Sequence, residues 1–568
     1  MKKSKLLIWA SAILLLCSCS DLLDTKNLYQ KDLNSYYDNP TGIEEAISGV
    51  YNALYMPGVM SDEQLMDNLM SDLMLGGGGP DDKSAKNVDS FNDPDDDTYK
   101  DLWVQTYNGI FRCNAIIEAV GSKDYTSFFK STAEAESFKK QSLGEAYFMR
   151  GFLLFRAARF FGGMPLIMKT DTPRDLPRAS FEETFTQILS DFKAGMDTMP
   201  DTKADVIPES EYGHANKWIA EGYVARAFLF YTGYMTNIEK KATTSVKLLD
   251  GTNLDKTAVI GYLDDCIQNS GYKLLSDFRN LWPYSYVNTA AGKVVLPWAD
   301  KEGLSWAGQD GFHPTYGTGN TEVMFAQRFT ITNWDIGQQY NNRIPLFFGI
   351  RNNSMIPYGQ GWGWGTVNPL LFNQWSDADK RKIGSIIQVG DADQGTAGYK
   401  KDQGDQETGY FNKKYTTIQY AGADGVKGMF YYLYNATGSD MQCWCAQDFF
   451  YLRFADILLM QAELSETTVH LNEVRVRAGL APLTAYSLSA LKEERLHEFA
   501  FEGTRYMDLV RWGDVEGTNN FFKEVDVSNS GVKAKYNVKY RPETKGLVSI
   551  PESEIRLSNG VYEQNPGW

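Results

Sequence analysis

ERLHEFAFEGTRYMDLVRW, residues 494–512, spaces its charges at intervals of mostly three or four: Glu494, Glu498, Glu502, Arg505, Asp508 and Arg511. Such intervals bring side chains onto neighbouring turns of a helix, so the cluster reads as helix-stabilising ion pairs and not as a catalytic constellation. A helix is predicted from about Ser487 to Trp512, preceded by two more, from about Asp448 to Leu464 and from Thr468 to Ala478. The chain after Asn519 is turn-rich and mostly extended.

Working outward, the first half is a series of helices. Thr41 and Glu44 form a capping-box pair after Pro40, and Ile43, Ala46, Ile47, Val50 and Leu54 recur at helical spacing until Pro57-Gly58. Trp103, Tyr107, Ile110, Asn114 and Ile117 make a second stripe. A long helix runs from about Glu134 to Phe161 and stops at Gly162-Gly163-Met164-Pro165, and Ser180 with Glu183 opens the next. Segments near 215–232 and 255–269 complete the half. Small residues such as Gly144, Gly151, Ala220 and Gly222 favour close helix pairing of the tetratricopeptide kind. From about Phe278 to Trp444 the stripes give way to Gly, Asn, Asp and Trp, with short alternating pieces such as Val323 to Phe329 that suit strands.

The N-terminus carries an address. Lys2, Lys3 and Lys5 precede an apolar run, Leu6 to Leu16, that is too short to span a membrane and has the shape of a signal-peptide core. Leu16-Cys17-Ser18-Cys19 follows like a lipobox, with Cys19 the better acceptor of lipid and Ser20, Asp21 and Asp24 behind it as a cue for export to the cell exterior. One acyl anchor places a protein on a membrane and not through it. With 72 Asp and Glu against 56 Lys and Arg the net charge is −16, which repels phosphate backbones and argues against a nucleic-acid partner. His214, His313, His470 and His497 form no H-x-x-x-H pair, so no metal is expected from them. Asp93 to Asp97 suits a solvated acidic turn better than a structural calcium site. Cys443-x-Cys445 reads as loop thiols or one disulfide.

Several motifs resemble the SusD/RagB family of nutrient-uptake outer-membrane lipoproteins of Bacteroidetes. GEAYFMRGF at 144–152 leading to GGMPL at 162–166, YLRFADILLMQAE at 451–463, LNEVRVRAGL at 471–480, the stretch at 494–512, and the ending Ile550-Pro551 with QNPGW at 564–568 are similar to that family's signatures and span nearly the whole mature chain. The resemblance implies a mainly α, SusD-like body of tetratricopeptide-like helix pairs with a large loop-rich, partly β insertion. It divides the chain into a signal peptide at 1–18, an N-terminal helical region at 19–277, an irregular ligand-binding region at 278–445, C-terminal helices at 446–518 and a tail at 519–568. It further implies a non-catalytic glycan binder on the outer membrane, facing the exterior, that serves a TonB-dependent SusC-like transporter. A helical glycoside hydrolase and a peptide-capturing relative are the alternatives.

Trp282, Trp298, Trp306, Trp334, Trp362, Trp364 and Trp375, seven of thirteen tryptophans, fall in the irregular region. A pyranose has an apolar C–H face and a hydroxyl rim, so flat aromatic platforms beside polar side chains suit it. Trp282, Trp364 and Trp375 sit in stretches that resemble family scaffold. Trp298, Trp306, Tyr316 and Trp334 are therefore the predicted ligand platforms, with Trp362, Arg343, Asp72 and Asp82 as edge or hydroxyl partners. The glycine run Gly76 to Gly79 is read as a mobile ligand-edge loop, a transporter-facing hinge or a plain surface loop.

Overall fold

The computed structural model describes residues 36–568 apart from 95, 174, 287–295, 310–318, 336, 423–424, 434–441 and 516–522. The signal segment, Cys17 and Cys19, His313 and Tyr316 lie outside the described residues. The principal helices are α1 (Pro40–Tyr51), α2 (Glu63–Met70), α3 (Lys100–Val120), α4 (Thr132–Phe161), α5 (Phe181–Thr198), α6 (Lys217–Asn237), α7 (Lys256–Asn269), α8 (Phe454–Ser465), α9 (Val469–Arg477), α10 (Leu488–Phe499) and α11 (Arg505–Trp512). The strands that matter here are β1 (Met74–Gly77), β2 (Val323–Gln327), β3 (Trp364–Val367), β4 (Phe449–Arg453), β5 (Lys523–Asn529) and β6 (Val532–Val538). They form antiparallel pairs only: β1 with β3, β2 with β4, and β5 with β6. The fold is mainly α.

Each helix from α3 to α9 packs on the next, and glycines set how closely. A Cβ on Gly144 would lie 3.1 Å from the Gly195 carbonyl oxygen, and one on Gly195 would lie 2.9 Å from the Gly144 carbonyl oxygen, so α4 and α5 touch backbone to backbone. Gly222 on α6 likewise leaves room for Leu452 and Ile457. The long helix α4 begins at Ser131, whose hydroxyl accepts from the Glu134 N–H, and ends where Gly162 turns to φ +78°. Its last carbonyl, at Phe161, is taken up by the chain's end: Asn565 Nδ2 donates to it at 3.0 Å and Arg178 Nη2 at 2.7 Å. The QNPGW terminus is thus a cap for α4.

Three local readings need correction. The capping residue of α1 is Asn39, which accepts from the Gly42 N–H with Pro40 at the first turn, and not Thr41; the Ser180–Glu183 box of α5 is present in both directions. The segment from Asp448 is not helical at its start. Phe449–Arg453 is a strand buried on both faces, and its run of apolar and aromatic residues before Arg453 carries no period to separate strand from helix. The helix predicted over 487–512 is two, α10 and α11, broken at residues 500–504 where Phe501 and Gly503 both take positive φ.

Most charges of that broken helix are buried and pair across the fold. Glu498 accepts from Arg453, Arg477 and Arg381, Glu494 from Arg381, and Glu502 from Arg453 and Lys414. Asp508 with Arg511 is the local pair among them, at i,i+3. The structural reading of these residues stands, but the pairs are tertiary: they fasten α9 and α10 to β4 and to the short helix Lys380–Ser385. Burial alone would raise the Glu498 carboxyl; Arg477, Arg453 and Arg381 hold it far below the usual carboxylate range.

The glycine run is not a mobile loop. Gly76 and Gly77 lie in β1, buried against β3, and a Cβ on Gly76 would sit 2.6 Å from the Lys86 Cα. Gly77 and Gly78 have φ of +67° and +85°, so the glycines admit close backbone packing. Asp93 accepts from Thr98, and Asp97 from Ser553 of the tail, so these acids dock the C-terminus. Among the described residues no group of three or more His, Cys, Asp or Glu is placed to hold a metal. Cys113, Cys266, Cys443 and Cys445 are buried thiols, and Cys443 and Cys445 are not joined to each other. No helix among the described residues is long and apolar enough to cross a membrane.

Candidate ligand-binding site

The predicted platforms separate sharply by burial. Trp298 is 7% exposed, with the Lys413 ammonium 3.8 Å from its ring centre, Arg279 at 5.5 Å and Tyr284 beside it. Trp306 is 4% exposed in a small core with Met429, Phe430 and Leu433. Neither offers an open face, so both are corrected from platform to core: the irregular region has its own interior, and indoles are the largest side chains to fill it. Trp282 and Trp375 are buried as scaffold, Trp375 stacked on His497 at 4.3 Å.

Trp334 is different. It is 59% exposed, at the turn of a segment running from Arg328 to Phe348. The segment is held at both ends. Asn333 Oδ1 accepts from the Asp335 N–H at 3.0 Å and its carbonyl accepts from Gly337, whose φ is +113°, which shapes the turn. Further along, Tyr340 Oη donates to Asn52 Oδ1 at 2.9 Å, and Asn341 and Asn342 tie the backbone to residues 442–447. Tyr55, which donates to the Arg328 carbonyl, meets Phe329 at 5.7 Å and Tyr340 at 5.0 Å, both edge-on. These half-buried rings give the exposed turn a firm base.

Arg343 continues this base. Its Nη2 donates to the Met56 and Pro57 carbonyls at 3.2 and 3.1 Å, and its guanidinium lies 6.0 Å from the Phe347 ring centre. Burial lowers its pKa, against the pull of Asp62 and Asp101. Phe347 in turn meets Trp362 at 4.8 Å and stacks on Trp364 at 4.8 Å. Trp362 is half-buried, and its carbonyl accepts from Arg351 Nη1 at 2.9 Å, the same nitrogen that reaches Asp82 Oδ2 at 3.0 Å. One chain of contacts therefore links Arg343, Trp362 and Asp82 through Phe347 and Arg351. Asp72 stands apart: both its oxygens accept from Arg505 at 2.8 Å, a bidentate pair that anchors α11.

Sequence reasoning missed Tyr55, Phe329 and Tyr340, which support the turn, and Arg351, which orients Asp82. Tyr55 carried a signal, an aromatic just before the Pro57-Gly58 stop. The others carried none, because the contacts join residues nearly three hundred positions apart. An exposed indole on a base of half-buried rings suits a ligand with an apolar face.

Two family models match the chain: one described as starch-binding associating with outer membrane over residues 21–229, and the SusD family over residues 321–568. A SusD-like protein of Bacteroides ovatus is 24% identical over 305 residues, 52% of this chain and 50% of that protein, so the chain spans about half the length of that relative. SusD-like protein P2 of Formosa agariphila is 22% identical along the full length of both. Among solved structures, a laminarin-binding SusD-like protein superposes with a TM-score of 0.68 at 21% identity, covering 94% of this chain and 100% of that one. Surface glycan-binding protein A from Bacteroides thetaiotaomicron in complex with laminarihexaose gives 0.68 at 18%, covering 92% and 99%.

Proposed function

Because the chain belongs to the SusD/RagB family, we propose that it is a surface lipoprotein that captures oligosaccharides without cutting them and passes them to a TonB-dependent, SusC-like transporter. The observation that carries the glycan reading is Trp334, an indole 59% exposed on a turn fixed by tyrosines and asparagines. A platform held in place before binding loses little freedom when a sugar stacks on it. Arg343, Trp362 and Asp82 are the proposed edge and hydroxyl partners, and Tyr316 remains a candidate platform. The printed names of the two glycan-binding neighbours support carbohydrate as the ligand class. Lipidation at Cys19 would hold the protein on the outer membrane, facing the exterior.

The non-catalytic part of the reading draws support from the signature carboxylates. Glycoside hydrolysis needs one carboxyl that stays protonated to act as acid. Glu498 is held ionised by three guanidiniums, so it cannot supply that proton. Isothermal titration against a broad oligosaccharide panel that includes laminari-oligosaccharides, with chromatography of each ligand after incubation, tests the proposal. At least one glycan should bind and be recovered intact; no binding across the panel, or shortened products, would overturn it.

A further inference from the structure

Residues 502–504 line a small polar cavity of about 20 Å³, walled also by α2, α4, α6 and β4. A space of that size holds one sphere of about water's dimensions. Its charged walls are Glu63, Arg156, Arg159, Arg226 and Glu502, three guanidiniums against two carboxylates. Most are already engaged. Arg226 is satisfied by Asp456, Tyr223 and the Tyr451 carbonyl, and Glu502 by Arg453 and Lys414. Glu63 Oε2 takes Arg156 Nε at 2.6 Å and lies 3.3 Å from Arg159 Nη2, and the charges of Asp62 and Asp67 act on Arg156 and Arg159 as well. The neighbouring acids are also occupied: Asp62 accepts from the Gln64 N–H, and Asp67 from those of Tyr506 and Met507.

What remains is uniform in kind. Arg156 Nη1, Arg159 Nε and Thr504 Oγ1 are buried with no hydrogen-bond partner among the described residues, and all three belong to the cavity wall. Both arginine groups can only donate, and the hydroxyl can turn to donate with them. Arg156 is 2% exposed, so solvent does not answer it from outside. A buried donor left unpaired costs on the order of 1–3 kcal/mol, and more when charged.

We infer that this cavity is a binding site for a single monatomic anion of the chloride class, held by Arg156 Nη1, Arg159 Nε and the Thr504 hydroxyl. A water molecule has two lone pairs and can accept from only two of these three donors, whereas a monatomic anion accepts from all three at once. The site joins α4 to the turn that precedes α11, so the anion acts as a link between the N-terminal helices and the C-terminal signature.

Crystals of the mature protein grown with bromide in place of chloride test the site directly. An anomalous peak inside the cavity is expected, and ordered water without anomalous signal there overturns the inference. In solution, the melting midpoint should rise with sodium chloride relative to sodium gluconate at equal ionic strength, because a ligand that binds only the folded state stabilises it. Thr504→Val removes the hydroxyl alone, since that side chain makes no cap bond to α11. The chloride-specific rise should shrink in Thr504→Val and in Arg159→Lys; a rise of equal size in wild type and both variants, or none in wild type, overturns the inference.

Discussion

Glu498, fully buried, accepts from Arg381, Arg453 and Arg477, and removing its charge would leave three guanidiniums short of an acceptor inside the protein. Breaking one partner of a buried ionic network costs about 3–5 kcal/mol. Glu498→Gln should therefore lower the thermal midpoint strongly, while Glu524→Gln, which loses an exposed pair with Lys535, should leave it almost unchanged. Calorimetry of both variants checks the contrast. Trp306 and Trp334 make a second contrast, since one fills a small core and the other stands in solvent. Trp306→Ala should cost about 3–5 kcal/mol of stability by leaving a cavity, and denaturant melts of the two variants should find Trp334→Ala within about 0.5 kcal/mol of wild type. Nothing in the sequence separates the two indoles, because both lie in Gly- and Asn-rich segments and burial there is decided by which distant segment folds over them.

At the scale of elements, the helices were legible where caps and stripes coincide. Ser180 with Glu183 opens α5 as its spacing predicts, and Gly162 stops α4. Where they do not coincide the reading slipped. Phe449–Leu452 is an unbroken apolar and aromatic run before Arg453, and the turn at 500–504 rests on positive φ at Phe501, a residue that gives no warning of it. Elements are also tied by single polar groups. Glu145 on α4 accepts from Tyr51 Oη of α1 at 2.5 Å and pairs with His214 Nδ1 at 2.8 Å, and the Glu145 carboxylate pushes the His214 pKa up to about 9. A histidine whose folded pKa exceeds its unfolded one adds stability that is complete below about pH 6.5 and is lost as pH rises through about 9. Chemical denaturation at pH 6, 7.5 and 9 should show wild type losing stability across this window relative to Glu145→Gln, in which the slope attributable to His214 is gone.

At the scale of the whole molecule, one continuous core runs from α1 to the C-terminal tail, and β2 pairing with β4 stitches the irregular region into it. Family kinship was legible because its motifs are the parts that perform this stitching: the ending QNPGW caps α4, and the residues at 494–512 anchor β4 and α9. The site was legible only in part, since a binding surface depends on which side chains the assembled fold leaves outside. Trp334 is exposed on its turn, and Arg343, Trp362 and Asp82 are joined to one another through Phe347 and Arg351. The most direct measurement is the affinity of wild type and Trp334→Ala for the tightest-binding oligosaccharide, titrated side by side at equal stability. Loss of the stacked indole should weaken binding by about 3- to 10-fold, the equivalent of roughly 0.5–1.5 kcal/mol. Equal affinity in the two proteins would contradict the account, because the sugar would then be held somewhere other than this turn.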